Sequence, residues 1–370
     1  MPPRAKPPFR ADHVGSLLRP PRLQAARAAR KAGGLPDHAL RAVEDDCIAT
    51  AIAQQEATGL RAATDGEYRR AYWHYDFVSG LDGVEIYEPE QKIQFKGATL
   101  SHALRVNARI RYRRPVMVDH FRFLADHVHG AMPKQTIPSP SVVHFRGGRA
   151  AIDRRVYPEL DGFFADLGEA YHNAVQAFAA AGCRYLQLDE VYIAYLCDPE
   201  QIAGLQARGE HVDGLLGIYA DLINRAIDGR PDDMTISMHL CRGNFRSTWV
   251  AQGGYEPVAE VLFNQINADA YFMEYDTDRA GGFEPLRFVP RGDKMVVLGL
   301  VTSKAGGLES KDELKRRIDQ AARYLPLEQL ALSPQCGFAS TEEGNLLTED
   351  DQWAKLRLCA EVAREVWGAV

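Results

Sequence analysis

His239 and Cys241 stand two residues apart at the end of an apolar run, Met234 to Cys241, and that spacing puts both side chains on one face of an extended strand. Two further metal-capable side chains end apolar runs downstream, Glu274 in Phe272-Met273-Glu274-Tyr275-Asp276 and Cys336 in Ser333-Pro334-Gln335-Cys336-Gly337. One imidazole, one carboxylate and two thiolates form a set that suits zinc, whereas magnesium and calcium seek oxygen. Taken singly, His239 reads as a core or rim histidine making hydrogen bonds, and each cysteine as a small buried hydrophobe. Their coincidence at run-ends favours a shared metal. Carboxylates end two other runs, Thr64-Asp65-Gly66-Glu67 and Gln187-Leu188-Asp189-Glu190.

Such a set converges only if the runs are neighbouring strands. Eight β-rich runs are spaced along the chain: Arg10–Ser16, Leu60–Glu67, Lys134–Ser139, Cys183–Glu190, Met234–Cys241, Ala270–Asp276, Lys294–Val301 and Gln329–Cys336. Most are separated by amphipathic stretches long enough for a crossover helix: Ala39–Thr58, Tyr157–Ala181, Val212–Asp228, Tyr255–Ile266, Ser310–Tyr324 and Thr348–Val366. This alternation predicts an α/β fold, a (β/α)8 TIM barrel, in which the carboxyl ends of the strands carry the active site. The 370 residues exceed the roughly 250 typical of that barrel, and Val78–Val118, with its alternating Val-Glu-Ile-Tyr, Ile-Gln-Phe and Val-Asn-Ala-Arg-Ile-Arg-Tyr, is expected to form a β-rich insertion after strand 2. No linker divides the chain, so residues 1–370 are expected to form a single catalytic domain, with Met1–Pro8 as a disordered lead-in.

A net charge of -6 argues against a non-specific grip on nucleic acid or an anionic membrane. The basic residues between Arg19 and Lys31 are interleaved with Ala and Leu, which reads as a solvated helix face. No apolar run approaches the roughly 18 residues of a membrane span. Six cysteines are too few for a disulfide scaffold in this length, and no signal-like opening is present, so reduced thiols and a cytoplasmic location are expected. Cys47, Cys183, Cys197 and Cys359 fall away from the run-ends and are assigned to packing. A homo-oligomer is compatible with the sequence.

From about Arg10 to Trp367 the sequence resembles the cobalamin-independent methionine synthase family, in its catalytic barrel and short single-barrel relatives. The strongest match is the metal set: a His-X-Cys pair, a downstream glutamate and a late cysteine, here His239-Leu240-Cys241, Glu274 and Cys336. The resemblance implies Zn2+ on these four residues. It further implies that Gly15-Ser16 holds the carboxylate of homocysteine, and that Glu67 and Asp189 hold its amino group. Long family members carry a duplicated amino-terminal barrel that has no counterpart here. Where they place a proton-donating histidine after strand 7, this chain reads Gly299-Leu300-Val301-Thr302-Ser303-Lys304, which puts Lys304 near that position.

The resemblance thus implies methyl transfer to the thiol of homocysteine, forming methionine, from a small-molecule donor such as 5-methyltetrahydrofolate. Zinc keeps a bound thiol deprotonated at neutral pH. A folate donor needs a general acid at its leaving nitrogen, and Lys304 or a water is the expected acid, with Asp189 the other expected catalytic group. Trp73, Tyr75 and Tyr192 are candidates to flank a flat donor or simply to pack. Three other readings remain. One is a zinc alkyltransferase using another thiol or donor, of the coenzyme M epoxide or demethylase type. Another is a metal-free barrel like uroporphyrinogen decarboxylase. The last is a non-catalytic protein that stores zinc or senses a thiol.

Overall fold

The computed structural model describes residues 4–88, 93–95, 98–100 and 102–370, with the backbone alone described for 93–95 and 98–100. Its strands are, in chain order, β1 (Ala62–Ala63), β2 (Asp82–Tyr87), β3 (Ile93–Phe95), β4 (Ala98–Leu100), β5 (Ala103–Arg111), β6 (Met132–Pro133), β7 (Gln135–Pro138), β8 (Tyr185–Glu190), β9 (Thr235–Leu240), β10 (Ala270–Glu274), β11 (Met295–Val301) and β12 (Leu330–Pro334). Strands β7 to β12 form one parallel sheet in sequence order, and β1 pairs in parallel with β6. All six strands of the larger sheet are buried along their whole length, as expected of parallel strands covered on both faces.

The ring closes through the segment around Ala11. Ala11 bridges Leu332 of β12, with Asp12 N–H donating to Leu332 O at 3.0 Å and Leu332 N–H to Arg10 O at 2.9 Å. On its other side Thr64 Oγ1 donates to Gly15 O at 2.6 Å. Arg10–Ser16, read above as a full strand, is therefore a single bridge. Its backbone bonds go elsewhere: Asp12 caps Phe9 N and His13 N, and Gly15 turns at φ +136. Likewise Leu60–Glu67 is regular only over Ala62–Ala63, because Thr64 and Asp65 side chains take the following amides.

The crossover helices bury their apolar stripes on this ring. Each of the six expected helices is matched by an observed one, Asp37–Ala57, Leu160–Ala180, Leu215–Ile227, Glu256–Asn264, Lys311–Ala321 and Glu349–Trp367, while Val118–His127 and Pro199–Ala207 are helices that the periodicity had not marked. The last starts where Thr348 and Asp351 satisfy each other's amides in a capping box. Deep in the barrel, Lys134 Nζ lies 3.1 Å from Asp12 Oδ1 and donates to His13 O at 2.6 Å, while Tyr185 OH donates to Asp12 Oδ2 at 2.8 Å. These buried charges are thus paired and hydrogen-bonded.

Within the expected insertion, β2 pairs antiparallel with β5, and β3 with β4. Residues 89–92, 96–97 and 101 of Val78–Val118 lie outside the described residues, as do residues 1–3 of the expected lead-in. The last residues of that lead-in are packed, while Ala5 and Lys6 are exposed. Pro7 and Pro8 are buried, Arg4 Nε donates to Pro8 O, and Arg61 bonds Arg4 O at 2.7 Å. The solvated reading of Arg19–Lys31 also needs correction at Arg19, which is 2% exposed and donates to four carbonyls, of Leu17, Glu67, Arg70 and Ala339. A guanidinium is the one side chain with enough donors for that task. Among the described residues no helix is long and apolar enough to cross a membrane.

Candidate metal centre

Neighbouring strands deliver the four expected donors to one point. Strand β9 carries His239 and, one residue past its end, Cys241; Glu274 ends β10; Cys336 lies two residues beyond β12. One donor atom from each lies within 4.8 Å of the others, and all four residues are buried. His239 Nε2 is 3.4 Å from Cys336 Sγ, and the two sulfurs are 3.5 Å apart. A tetrahedron with Zn–S bonds of about 2.3 Å has edges of roughly 3.8 Å, so these separations leave the donors close to where one ion would hold them. His239 Nδ1 is buried with no hydrogen-bond partner among the described residues.

The charges agree with such a role. Burial opposes ionisation of Glu274, yet Lys304, Arg279 and His239 hold its carboxyl down at about 2. Contact with Cys241 and the charge of His239 hold the Cys336 thiol well below its ordinary value against burial, and the same contact pushes Cys241 up. The imidazole of His239 is correspondingly raised by Cys336 despite its own burial.

Around Glu274 the partners are fixed. Oε1 accepts from the Arg242 amide at 2.7 Å; Oε2 accepts from Arg279 Nη2 at 2.6 Å and Gln335 Nε2 at 3.2 Å. Lys304 belongs to this shell. Its ammonium is buried without a hydrogen-bond partner among the described residues and is not one of the groups lining the neighbouring cavity.

That cavity opens beside His239, Cys241 and Cys336 and brings Ser16, Glu67 and Asp189 to the same wall. Glu67 takes φ +60, an uncommon conformation for a non-glycine residue. Thr136 Oγ1 donates to its Oε1 at 2.9 Å, Arg70 sits 3.5 Å away, and Oε2 has no hydrogen-bond partner among the described residues. Burial and the charge of Glu67 push Asp189 up to about 7, although Gln187 donates to its Oδ1 at 2.7 Å. Glu190 serves the fold instead: it accepts from Ser141 Oγ and from the amides of Tyr192 and Ile193.

Two glycines shape the same wall. A Cβ on Gly337 would fall 2.0 Å from Ser16 Oγ, and one on Gly15 would fall 2.7 Å from the Thr136 methyl. Gly15 itself does not line the cavity, whereas Ser16 does.

Of the aromatic candidates only Trp73 lines the cavity. Tyr75 donates to His102 O, and Tyr192 accepts from Arg146 Nε at 2.8 Å. His74, Arg146, Tyr195 and Asn244 also reach the wall, and no sequence period had singled them out. Asn244 follows the His239-Cys241 strand closely and donates to Gly337 O at 2.8 Å, a position that proximity to Cys241 could have suggested. The remaining four cysteines are buried as free thiols, with burial holding Cys197 up at about 11.

A family model described as the catalytic domain of the cobalamin-independent synthases matches residues 9–364. The chain is 50% identical to the uncharacterized protein YxjG of Bacillus subtilis over 365 residues, 98% of this chain and 96% of that one. It is 22% identical to the methionine synthase of Pyrococcus furiosus, over 88% of this chain and 84% of the relative. Among solved structures, a Listeria monocytogenes protein assigned to the vitamin-B12-independent methionine synthases superposes with TM-score 0.81 at 39% identity, covering 99% of this chain and all of the other. A B12-independent methionine synthase from Shewanella shares the fold at TM-score 0.74 and 17% identity, over 97% and 98% of the two chains.

Proposed function

Because this chain belongs to the cobalamin-independent synthase family, as a TIM-barrel member of its catalytic-domain type, we propose that it is a zinc-dependent thiol methyltransferase that methylates homocysteine to methionine. The observation that carries the reading is the meeting of four buried N, S and O donors with a cavity whose wall presents two carboxylates. Residues 1–370 act in this reading as one catalytic unit.

The donors fit zinc in type, burial and separation, and His239, Cys241, Glu274 and Cys336 would hold it. Bound there, zinc supplies the Lewis acidity that makes a thiol a thiolate at neutral pH. The chain's own residues do the rest. Glu67 and Asp189 face the substrate ammonium, and the unpartnered Oε2 of Glu67 gives it an acceptor. Ser16, with the Gly15-Ser16 backbone, receives the carboxylate. An acceptor lacking an amine, such as coenzyme M, would leave the Arg70 guanidinium as the cation beside Glu67 and bring none to the free Oε2 or to Asp189.

Lys304 is proposed to act through its charge, holding Glu274 ionised. The methyl donor is proposed to be 5-methyltetrahydrofolate, entering past Trp73. Reduced, free cysteines suit a cytoplasmic enzyme.

Elemental analysis of wild type and Cys336→Ser, followed by homocysteine methylation with 5-methyltetrahydrofolate, tests the reading. The expected result is about one zinc per wild-type chain, lost in the variant together with activity. Wild-type protein prepared with ample zinc under reducing conditions that still holds none would overturn it.

A further inference from the structure

The wall of the cavity contains a side chain to which neither the metal centre nor amino-acid recognition gives work. His74 is 2% exposed and lines the cavity, and both of its ring nitrogens are buried with no hydrogen-bond partner among the described residues. A buried imidazole left wholly unpaired is costly, and the cost is explained if a ligand completes it.

Its placement is built. Asp76 accepts from the amides of Ala71 and Tyr72, which closes the loop that carries His74. Tyr72 bridges Thr341, and Trp73 N–H donates to Ser340 O at 2.9 Å, so this loop is tied to the one that carries Cys336. The imidazole packs between the rings of Trp73 and Tyr75, at 4.5 and 3.9 Å between centroids. Those rings restrict it to the orientation in which it meets the cavity.

A thiol that enters this cavity to become a thiolate must give its proton to something. Glu67 and Asp189 are poor recipients, since the ammonium of the same substrate needs both ionised. His239 belongs to the donor set. His74 is the other histidine on the wall among the described residues. We propose that His74 is a catalytic residue of this site, taking the proton of the incoming thiol and returning it to the leaving group of the methyl donor; this rests on the thiol-methylating reading above.

The steps balance. The S–H bond breaks and an N–H bond forms on the free ring nitrogen of His74. Transfer then forms the S–C bond and breaks the bond between the methyl carbon and the leaving atom. The electron pair left on that atom takes the proton from His74, which becomes neutral again. Burial and the neighbouring Arg146 guanidinium hold the imidazole neutral and ready to accept, and the same two causes make the imidazolium, once formed, a strong acid toward the leaving atom. Among the groups that shift it, Arg146 is the charged one; its ring neighbours are Trp73 and Tyr75.

The test counts protons. Zinc-loaded wild type and His74→Gln are titrated calorimetrically with homocysteine near neutral pH in buffers of different ionisation enthalpy. The variant is expected to release about one more proton per thiol bound, because the thiol proton then goes to solvent; Asp189 contributes equally to both. In wild type labelled at the histidine ring nitrogens, homocysteine should convert one neutral ring to imidazolium, a readout that needs no variant. Turnover by His74→Gln should fall by about 100-fold or more, with kcat affected more than KM, and imidazole should partly rescue His74→Ala. Equal proton release in both proteins, or no histidine ring changing state in the wild type, overturns the inference while leaving thiol methylation standing. Failure of the zinc-loaded wild type to bind homocysteine at all overturns the thiol reading itself, and the role of His74 with it.

Discussion

Arg279 donates to Glu274 Oε2 at 2.6 Å from a position that also reaches Asp276 at 3.0 Å, so the one carboxylate among the candidate metal ligands is held by a second charge before any ion arrives. Such a contact fixes which oxygen of Glu274 points where.

Arg279→Gln should therefore lower zinc affinity by roughly 10–100-fold, because outer partners of this kind carry that much of a metal site's binding. Competition with a chromophoric chelator measures it. Affinity equal to wild type would show that Glu274 needs no such support.

Homocysteine binding should weaken as pH falls below about 7, where Asp189 takes up its proton. The sign follows from the upward shift. Asp189 faces an ammonium only when ionised, and lowering the pH through its raised value removes that charge. Asp189→Asn should bind weakly at every pH and lose this part of the profile, as read from dissociation constants between pH about 6 and 8.

Gly337→Ala should raise KM for the thiol substrate while leaving zinc content unchanged. Its methyl group would occupy the place of Ser16 Oγ, 2.0 Å away, and push that hydroxyl off the wall. Loss of zinc as well would mean that the neighbouring Cys336 had moved too.

Lys304→Met removes the foremost cation that lowers Glu274. If charge is its role, turnover with 5-methyltetrahydrofolate should fall by less than about tenfold while zinc binding weakens at mildly acidic pH. A drop of about 100-fold at unchanged zinc affinity would instead assign Lys304 the proton transfer.

The barrel was legible because the strands of the parallel sheet are short, largely apolar runs, and three of them carry a metal-capable or acidic side chain at or next to their last residue, Asp189, His239 and Glu274. The opening segment was over-read as a strand. Asp12 and Thr64 side chains take bonds there that a regular ladder would have used, and composition does not reveal that substitution. His74 and Arg146 were illegible for another reason. Neither lies in a periodic run: His74 is brought to the cavity where Asp76 and Ser340 fold one loop against another, and Arg146 follows the single-turn helix Val142–Phe145. The buried Arg19 misled in the opposite direction, since three of its four carbonyl partners, on Glu67, Arg70 and Ala339, lie far from it in the chain.

Thr136 touches both ends of the recognition wall: its hydroxyl holds Glu67 at 2.9 Å, and its methyl fills the space against Gly15 that a side chain there would need. If Glu67 holds the amine and Gly15-Ser16 the carboxylate as proposed, the two grips would form one rigid gauge, set by a single residue of β7. Both groups hang from the same α-carbon, so the gauge fixes how far that carbon stands from the metal donors. Under that proposal, selection among thiol amino acids would be a measurement of chain length, with the number of methylenes deciding whether sulfur reaches its place.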